Sequence, residues 1–229
     1  MHPPSPIRVR LSLAAVAAVA VQAAAPSAVA VAFGGDPRTT ATLSFASNAS
    51  ATTPAWAWVS PAPTRWDVGT GTGSGAGGCA GAPAGVATLP AEAADASYAN
   101  SAGLRTVFRV RLSALAPATT YAYSVCWDGG EASAPRTFTT LAAAGTAAQP
   151  RVIFWGDLGR DGGGQAFPAL EAEAAATAAR APGAGDVAIA AGDFAYNLGD
   201  LNGARGAAFM DRFSNISSLL PGKSRPRAA

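Results

Sequence analysis

Residues 152–159 read VIFWGDLG, and residues 187–196 read VAIAAGDFAY. Each run is apolar at first and then places an aspartate, Asp157 or Asp193, directly after a glycine. Short apolar runs that end at glycine are typical of buried strands. The sequence therefore predicts two strands, each followed by a turn that carries an acidic residue.

The segment between the two runs predicts a helix. Residues 165–180 are rich in alanine and glutamate, which favour helices, and Pro182 and Gly183 close the segment. A strand, a helix and a strand at this spacing indicate a βαβ unit, and hence a parallel sheet. A second helix is predicted for residues 206–220, where apolar residues recur at helical spacing and are expected to lie in the core. These residues are Phe209, Phe213, Ile216 and Leu220.

The chain ahead of this unit, residues 31–141, has an all-β pattern. Short runs of alternating apolar and polar residues are separated by Gly, Pro and Asp. In residues 106–112, for example, positions 108, 110 and 112 are apolar, and positions 109 and 111 are arginines. The predicted strands cover residues 42–45, 56–59, 106–112, 121–127 and 136–140. This pattern indicates a β-sandwich, joined to the βαβ unit by a linker of small residues, 142–150.

Residues 115–123, LAPATTYAY, resemble the corner motif of fibronectin type III domains. In those domains a tyrosine hydroxyl bonds back to the turn that precedes its strand, and this bond holds the corner together. The spacing leaves two residues for the role, Tyr121 and Tyr123. The resemblance implies a fibronectin type III-like sandwich for residues 31–141.

The two aspartates have the chemistry of a metal site. In an open parallel sheet, ligands bind outside the carboxyl ends of the strands, where Asp157 and Asp193 are both predicted to lie. Asp193 is predicted to lie in a tight turn and suits a carboxylate that bridges two metal ions, while Asp157 suits a terminal ligand. Tyr196 offers a phenolate oxygen, a donor for a hard ion such as Fe³⁺. Gly-Asp pairs after strands are also common as plain turns, which is the alternative for each pair taken alone.

The motifs GDLG at 156–159 and GDFAY at 192–196 resemble the first two motifs of the purple acid phosphatases, a branch of the calcineurin-like metallophosphoesterases. Those enzymes place a fibronectin-type β domain before an α/β catalytic domain, which is the order predicted here. Residues 31–37, VAFGGDP, also resemble the family's opening strand and turn. The resemblance covers residues 31–221 and implies a metallophosphoesterase domain that begins at residue 151.

By this resemblance the chain is an acid phosphatase, which hydrolyses phosphoric monoesters through a binuclear metal centre. The family's cofactors are Fe(III) and a divalent metal, which is Zn, Mn or Fe. The resemblance assigns Asp157 to the ferric ion, Asp193 to the bridge between the metals and Tyr196 to the phenolate that colours the protein. No substrate-contacting catalytic residue is assigned, because the family uses histidines for this role and the sequence has one histidine, His2.

The sequence departs from the family's pattern after residue 221. The family continues into another strand and a GNHE motif, whereas residues 222–229 read GKSRPRAA, a basic and aperiodic tail that is expected to be disordered. Residues 151–221 are therefore expected to form an incomplete α/β metallophosphoesterase domain. We expect a chain truncated in this way to be inactive alone. A secreted, non-catalytic fibronectin-like binding module, or a degenerate phosphatase fragment, is the alternative.

The N-terminal residues predict a targeting signal. Arg8 and Arg10 precede an apolar run, and small residues offer cleavage after Ala23 or after Ala30. Residues 1–30 are predicted to be a secretory signal peptide, with a plastid transit peptide as the alternative. No later run is long enough to span a membrane. The net charge of +2 and the 13% of charged residues argue against nucleic acid as a partner.

The cysteines and two asparagines fit a secreted protein. An oxidising compartment would allow Cys79 and Cys126, the two cysteines of the chain, to form a disulfide. Two unpaired thiols are the alternative, because the sequence does not show whether the cysteines meet in space. Asn48 and Asn215 each begin an Asn-X-Ser sequon and are candidate glycosylation sites.

Overall fold

The computed structural model describes residues 25–62, 86–100, 103–146, 149–156, 158, 166–180, 184–191, 196 and 199–223. Within these ranges the chain has eleven strands and two helices. The strands are β1 (Ser27–Ala32), β2 (Ala41–Ser47), β3 (Ala55–Pro61), β4 (Ala87–Pro90), β5 (Glu92–Asn100), β6 (Gly103–Leu112), β7 (Thr120–Trp127), β8 (Arg136–Thr139), β9 (Val152–Trp155), β10 (Val187–Ala190) and β11 (Gly222–Lys223). The helices are α1 (Ala166–Ala178) and α2 (Ala204–Ser217).

The strands form two sheets. One sheet has seven strands in the order β5-β6-β2-β1-β11-β10-β9, and the other has four in the order β4-β3-β7-β8. The five runs predicted as strands in the all-β region fall on β2, β3, β6, β7 and β8. The sequence does not predict β4 and β5, because β4 is short and β5 is rich in Ala, Asp and Asn, which have low strand propensity.

The two sheets enclose a common core because their strands alternate between buried and exposed residues. On β6, Phe108 and Val110 are 1% exposed, whereas the arginines beside them face solvent. Burial of one such side chain is worth about 1.5–3 kcal/mol. Other fully buried members of this core are Leu43, Phe45, Tyr123 and Phe138.

The seven-stranded sheet joins the two regions that lie on either side of the predicted linker, residues 142–150. β9, α1 and β10 follow one another as predicted, and β9 pairs with β10 in parallel. β11 pairs in parallel with β10 and, through Gly222, with Ala32 of β1. β1 in turn pairs with β2 in the antiparallel sense. Strands from both regions therefore form a single hydrogen-bonded sheet.

The prediction of a disordered tail over residues 222–229 is wrong at its beginning. Gly222 and Lys223 form β11. They are ordered because β10 and β1 give β11 a partner on each side, and neither partner is close to it in sequence. Residues 224–229 lie outside the described residues.

The predicted boundary between signal peptide and β region, after residue 30, falls inside β1. β1 begins at Ser27, and Val29 is 2% exposed within the core. Cleavage after Ala30 would remove these strand residues, whereas cleavage after Ala23 would leave β1 intact. Residues 1–24 lie outside the described residues.

Both helices bury one apolar stripe in a second core cluster, which also contains Leu158, Ala188 and Leu220. The stripe of α1 is formed by Phe167, Leu170 and Ala174. That of α2 is formed by Phe209, Phe213 and Ile216, which confirms the predicted core residues. Within the described ranges, neither helix has the length and hydropathy needed to cross a bilayer.

The two corner tyrosines have different partners. The hydroxyl of Tyr121 accepts a hydrogen bond of 2.8 Å from the backbone N–H of Ala116, in the turn before β7. Tyr121 is therefore the residue that bonds back to the corner. Tyr123 is fully buried, and its hydroxyl donates a hydrogen bond of 2.7 Å to the carbonyl oxygen of Ser218, directly after α2. Tyr123 thus connects β7 to the helical region.

Candidate functional site

The candidate site lies at the edge where β9 and β10 end. The two strands are parallel neighbours in register, with Trp155 opposite Ala190 as the last pair. The backbone N–H of Ala191 also donates a hydrogen bond of 2.6 Å to the carbonyl oxygen of Trp155. Asp157 comes two residues after Trp155, and Asp193 comes three residues after Ala190. The strands that lead to the two predicted ligands therefore end at the same edge of the sheet, about 4.8 Å apart.

The backbone is anchored on both sides of the Gly156-Asp157 pair. Leu158 is fully buried in the second core cluster. Trp155 is half-buried, and its ring centre lies 5.5 Å from that of Phe213 on α2. Packing against the helices thus holds the end of β9 and the residue that follows the predicted ligand.

Of the three predicted metal ligands, Tyr196 is the one that the structure describes. Its side chain is 39% exposed, whereas Asp157 and Asp193 lie outside the described residues. No group of three His, Cys, Asp or Glu side chains suitable for a metal ion lies together in the described ranges. Of the predicted ligands, these ranges hold only the Tyr196 phenol, and the described residues do not assemble a metal site. The ligand roles of Asp157, Asp193 and Tyr196 stay predictions.

β11, which the sequence pattern does not predict, also ends at this edge. β11 is parallel to β10, with Lys223 opposite Ile189, so its carboxyl end lies at the same side of the sheet. A strand of two residues, one of them glycine, has no apolar alternation that would reveal it. The signal that was available is its position after α2, because a strand, a helix and a strand in that order favour a second parallel pair.

The structure also describes three of the four candidate disulfide and glycosylation residues. Cys126 on β7 is fully buried and disulfide-bonded, and Cys79 lies outside the described residues. Asn48 is exposed in a bend after β2, and Asn215 is exposed on α2. The exposure of both asparagines is compatible with glycosylation, which stays a prediction.

The β region decides the family. A sequence profile described as the purple acid phosphatase N-terminal domain matches residues 26–140, about half of the chain. The chain belongs to the purple acid phosphatase family. The matched residues run from β1 to the end of β8, so the purple acid phosphatase profile ends before the three predicted metal ligands.

Comparison with solved structures shows how much of this chain resembles a known purple acid phosphatase. The purple acid phosphatase PPD1 from seeds of yellow lupin (Lupinus luteus) is similar with a TM-score of 0.58 and 15% sequence identity. The match covers 88% of this chain and 35% of the lupin protein, so this chain spans about a third of that purple acid phosphatase. Chicken CNTN1 FN1–FN3 domains match with a TM-score of 0.33 and 12% identity, over 52% of this chain and 31% of that chain. A comparison with curated protein sequences gives no match.

Proposed function

We propose that this chain is the front part of a secreted purple acid phosphatase, an enzyme that hydrolyses phosphate monoesters. One observation carries the proposal, which is that β9 and β10 are adjacent, parallel and in register up to Trp155 and Ala190. Asp157 and Asp193 follow those two residues closely. Their carboxylates would therefore leave the sheet at one edge, as two ligands of a single metal centre require. Membership in the family supports the proposal.

Three side chains would hold the metals. Asp193 would bridge the two ions, Asp157 would bind the iron, and Tyr196 would give the iron a phenolate ligand. Carboxylate and phenolate oxygens are hard donors and suit Fe(III). Purple acid phosphatases generally use iron with a divalent metal, for which Zn, Mn and Fe are the candidates. The metal pair would neutralise charge on the phosphate oxygens and supply a nucleophile at moderate pH.

The proposal also assigns a signal peptide and two domains to the chain. Residues 27–141 would form a fibronectin type III-like module, which the hydrogen bond of Tyr121 to its corner supports. Residues 151–223 would form the first part of an α/β metallophosphoesterase domain, built on β9, α1, β10, α2 and β11. A signal peptide cleaved after Ala23 would direct the protein to the secretory pathway.

The 229-residue chain by itself would be inactive. Its three candidate ligands are all oxygen donors, and its one histidine, His2, lies in the predicted signal peptide. Metal ions of this kind take about four to six donor atoms each, which is more than three side chains supply for two metals. The alternative function, a secreted non-catalytic binding module, needs no metal at these residues.

Iron binding tests the ligand assignment directly. We expect the purified chain to bind Fe(III) and to show a visible absorption band from the phenolate. Tyr196→Phe should abolish the band while iron stays bound, and Asp157→Asn or Asp193→Asn should lower the iron content measured by elemental analysis. Asp200→Asn is the matched control. Asp200 lies in the turn before α2 and forms an ion pair with Arg205 on that helix, so it is not a predicted metal ligand. Iron content unchanged in both Asn variants at 157 and 193 would contradict the assignment.

Hydrolysis of p-nitrophenyl phosphate distinguishes the proposed phosphatase from the non-catalytic binding module. We expect no turnover by the 229-residue chain with Fe and Zn added. A longer transcript product with an in-frame GNHE segment should hydrolyse the ester and should lose activity with Asp193→Asn. Turnover by the 229-residue chain that Asp193→Asn abolishes would overturn its proposed inactivity. An inactive longer product would favour the non-catalytic module.

A further inference from the structure

A groove lies on the outer face of the seven-stranded sheet, between β6 and the loop that joins β1 to β2. Its volume is about 570 Å³, within the range of small-ligand sites. Its polar side chains include Thr40, Thr42, Arg109 and Arg111. None of the described residues that line the groove is acidic. The groove therefore has a positive lining.

Strand alternation directs both arginines to this face. Phe108 and Val110 are buried in the core, so Arg109 and Arg111 project from the opposite side of β6, and both are exposed. Residues two apart on one strand face are about 7 Å apart along the strand. Thr42 on β2 lies opposite Arg111 in the register of the sheet. Two guanidinium groups and one hydroxyl thus border the same space.

Arg109 and Arg111 differ from the other arginines in the described part of the chain. Each of the other seven arginines in these ranges has a hydrogen bond, an ion pair or another such contact. Within the same ranges, the side chains of Arg109 and Arg111 have none, although Glu92 lies opposite Arg109 in the sheet. An unpaired guanidinium keeps five N–H donors available. Two neighbouring cations also repel each other, and a bound anion would relieve that repulsion.

The β1–β2 loop forms one wall of the groove and is held by hydrogen bonds within the loop. The hydroxyl of Thr40 accepts a hydrogen bond of 3.1 Å from the backbone N–H of Gly35 and donates one of 2.8 Å to the carbonyl oxygen of Asp36. Gly34 approaches Thr42 closely, because a Cβ at residue 34 would lie 3.2 Å from the Thr42 hydroxyl oxygen. The wall is therefore formed without help from a ligand.

We propose that this groove binds a tetrahedral oxyanion group, either a free anion or the phosphate of a small ester. The planar forks of Arg109 and Arg111 match the oxygens of such a group, and each can donate two parallel hydrogen bonds. The hydroxyl of Thr42 adds a further donor. The proposal does not rest on phosphatase activity, because its residues lie on β6, β2 and the β1–β2 loop and not on β9 or β10.

Calorimetric titration of the metal-free 229-residue protein tests the proposal, with inorganic phosphate, inorganic sulfate and glucose 6-phosphate as probes. We expect saturable binding that Arg109→Gln or Arg111→Gln weakens about tenfold, because each removes charge-assisted hydrogen bonds. Thr42→Val should weaken binding about threefold with no change in charge. Arg205→Gln on α2 is the matched control for the loss of one positive charge, and it should change the affinity less than about twofold because Arg205 does not line the groove and charges outside the site are screened by salt.

Equal weakening by Arg111→Gln and Arg205→Gln would mean that net charge alone attracts the anion, and it would overturn the proposal. Absence of saturable binding by every probe would overturn it as well. Binding that is lost in Asp193→Asn but kept in Arg111→Gln would place the anion at the end of β10 instead of in the groove. Similar affinities for phosphate and glucose 6-phosphate would support a free oxyanion, and tighter binding of glucose 6-phosphate would support an ester.

Discussion

The hydroxyl of Tyr123 donates a hydrogen bond of 2.7 Å to the carbonyl oxygen of Ser218. Tyr123 is fully buried on β7, and Ser218 is the C-cap residue of α2. The bond therefore crosses from the four-stranded sheet to the helix that precedes β11. Ser217 makes a second crossing bond, because its hydroxyl donates to the carbonyl oxygen of Val29 on β1 at 3.1 Å. The end of α2 is thus fastened to both sheets.

Removing the Tyr123 hydroxyl should weaken this connection. We expect Tyr123→Phe to lower the free energy of unfolding in urea by about 1–3 kcal/mol, because the buried carbonyl oxygen of Ser218 loses its donor. Hydrogen exchange of the α2 amides should also become faster. Tyr121→Phe is the matched control: it removes the corner bond to Ala116 and should destabilise the protein without a local effect on α2. Equal exchange of α2 in both variants would contradict a specific role for Tyr123.

Ionisation of the Tyr123 hydroxyl should destabilise the folded protein at alkaline pH. Burial raises the pKa of the Tyr123 phenol above its ordinary value, and the charge of Arg136 offsets part of that effect. The unfolded chain therefore loses this proton first, near pH 10. Stability should be complete below about pH 10 and should fall above it by up to about 1.4 kcal/mol for each pH unit. Urea denaturation of wild type and Tyr123→Phe between about pH 9 and 11 measures the difference, and the same slope in both would show that other groups cause the loss.

Arg136 on β8 holds the same end of α2. Its Nη1 donates a hydrogen bond of 3.4 Å to the carbonyl oxygen of Ser214 and another to the hydroxyl of Ser218. A cation at this end also interacts favourably with the helix dipole. Arg136→Met keeps the apolar stem and should lower the free energy of unfolding by about 1–2 kcal/mol. In a double-mutant cycle with Tyr123→Phe we expect a coupling of at least about 0.5 kcal/mol, since both residues contact Ser218. Additive losses would show that the two contacts act independently.

The sequence predicts which residues form strands better than it predicts how the sheets are joined. Alternation along β6 is enough to place Phe108 inside and Arg109 outside, because the side-chain period of a strand is two. β11 has no such pattern, and it forms because β10 and β1 lie on either side of it. The apolar content of a segment carries no information on a partner strand that is 190 residues away, as Ala32 is from Gly222.

For the candidate sites, too, the sequence predicts features of single segments better than contacts between distant ones. The placement of Asp157 and Asp193 after apolar runs predicts that both follow strand ends, and the register of β9 with β10 agrees with that prediction. The lack of a partner for Arg111 within the described ranges is not visible in the sequence. Whether an arginine is paired depends on residues that the fold brings close, as Glu171 is brought to Arg212 at 3.4 Å.

The turn before β10 should not tolerate a larger residue at position 185. A Cβ on Gly185 would lie 2.2 Å from Cδ1 of Ile153 on β9, so the isoleucine would have to move. We expect Gly185→Ala to lower the free energy of unfolding by about 1–3 kcal/mol, as overpacking does. Ile153→Val in the same chain should recover part of the loss because it removes the closest atom. Gly199→Ala, which meets no atom within 4 Å, is the control, and an equal loss there would refute the steric explanation.

The outer edge of the seven-stranded sheet should favour self-association through Phe154. β9 is the last strand of this sheet in the described part of the chain, and Phe154 is 68% exposed on it. Exposed apolar edge strands offer unpaired backbone groups to other chains. Phe154→Lys should therefore reduce association measured by sedimentation velocity, while it changes the free energy of unfolding by less than about 0.5 kcal/mol, because the side chain is already in water. Leu201→Lys is the matched control, since Leu201 is 70% exposed but lies in a turn. An equal decrease in association with Leu201→Lys would show that surface hydropathy, and not the edge of β9, causes it.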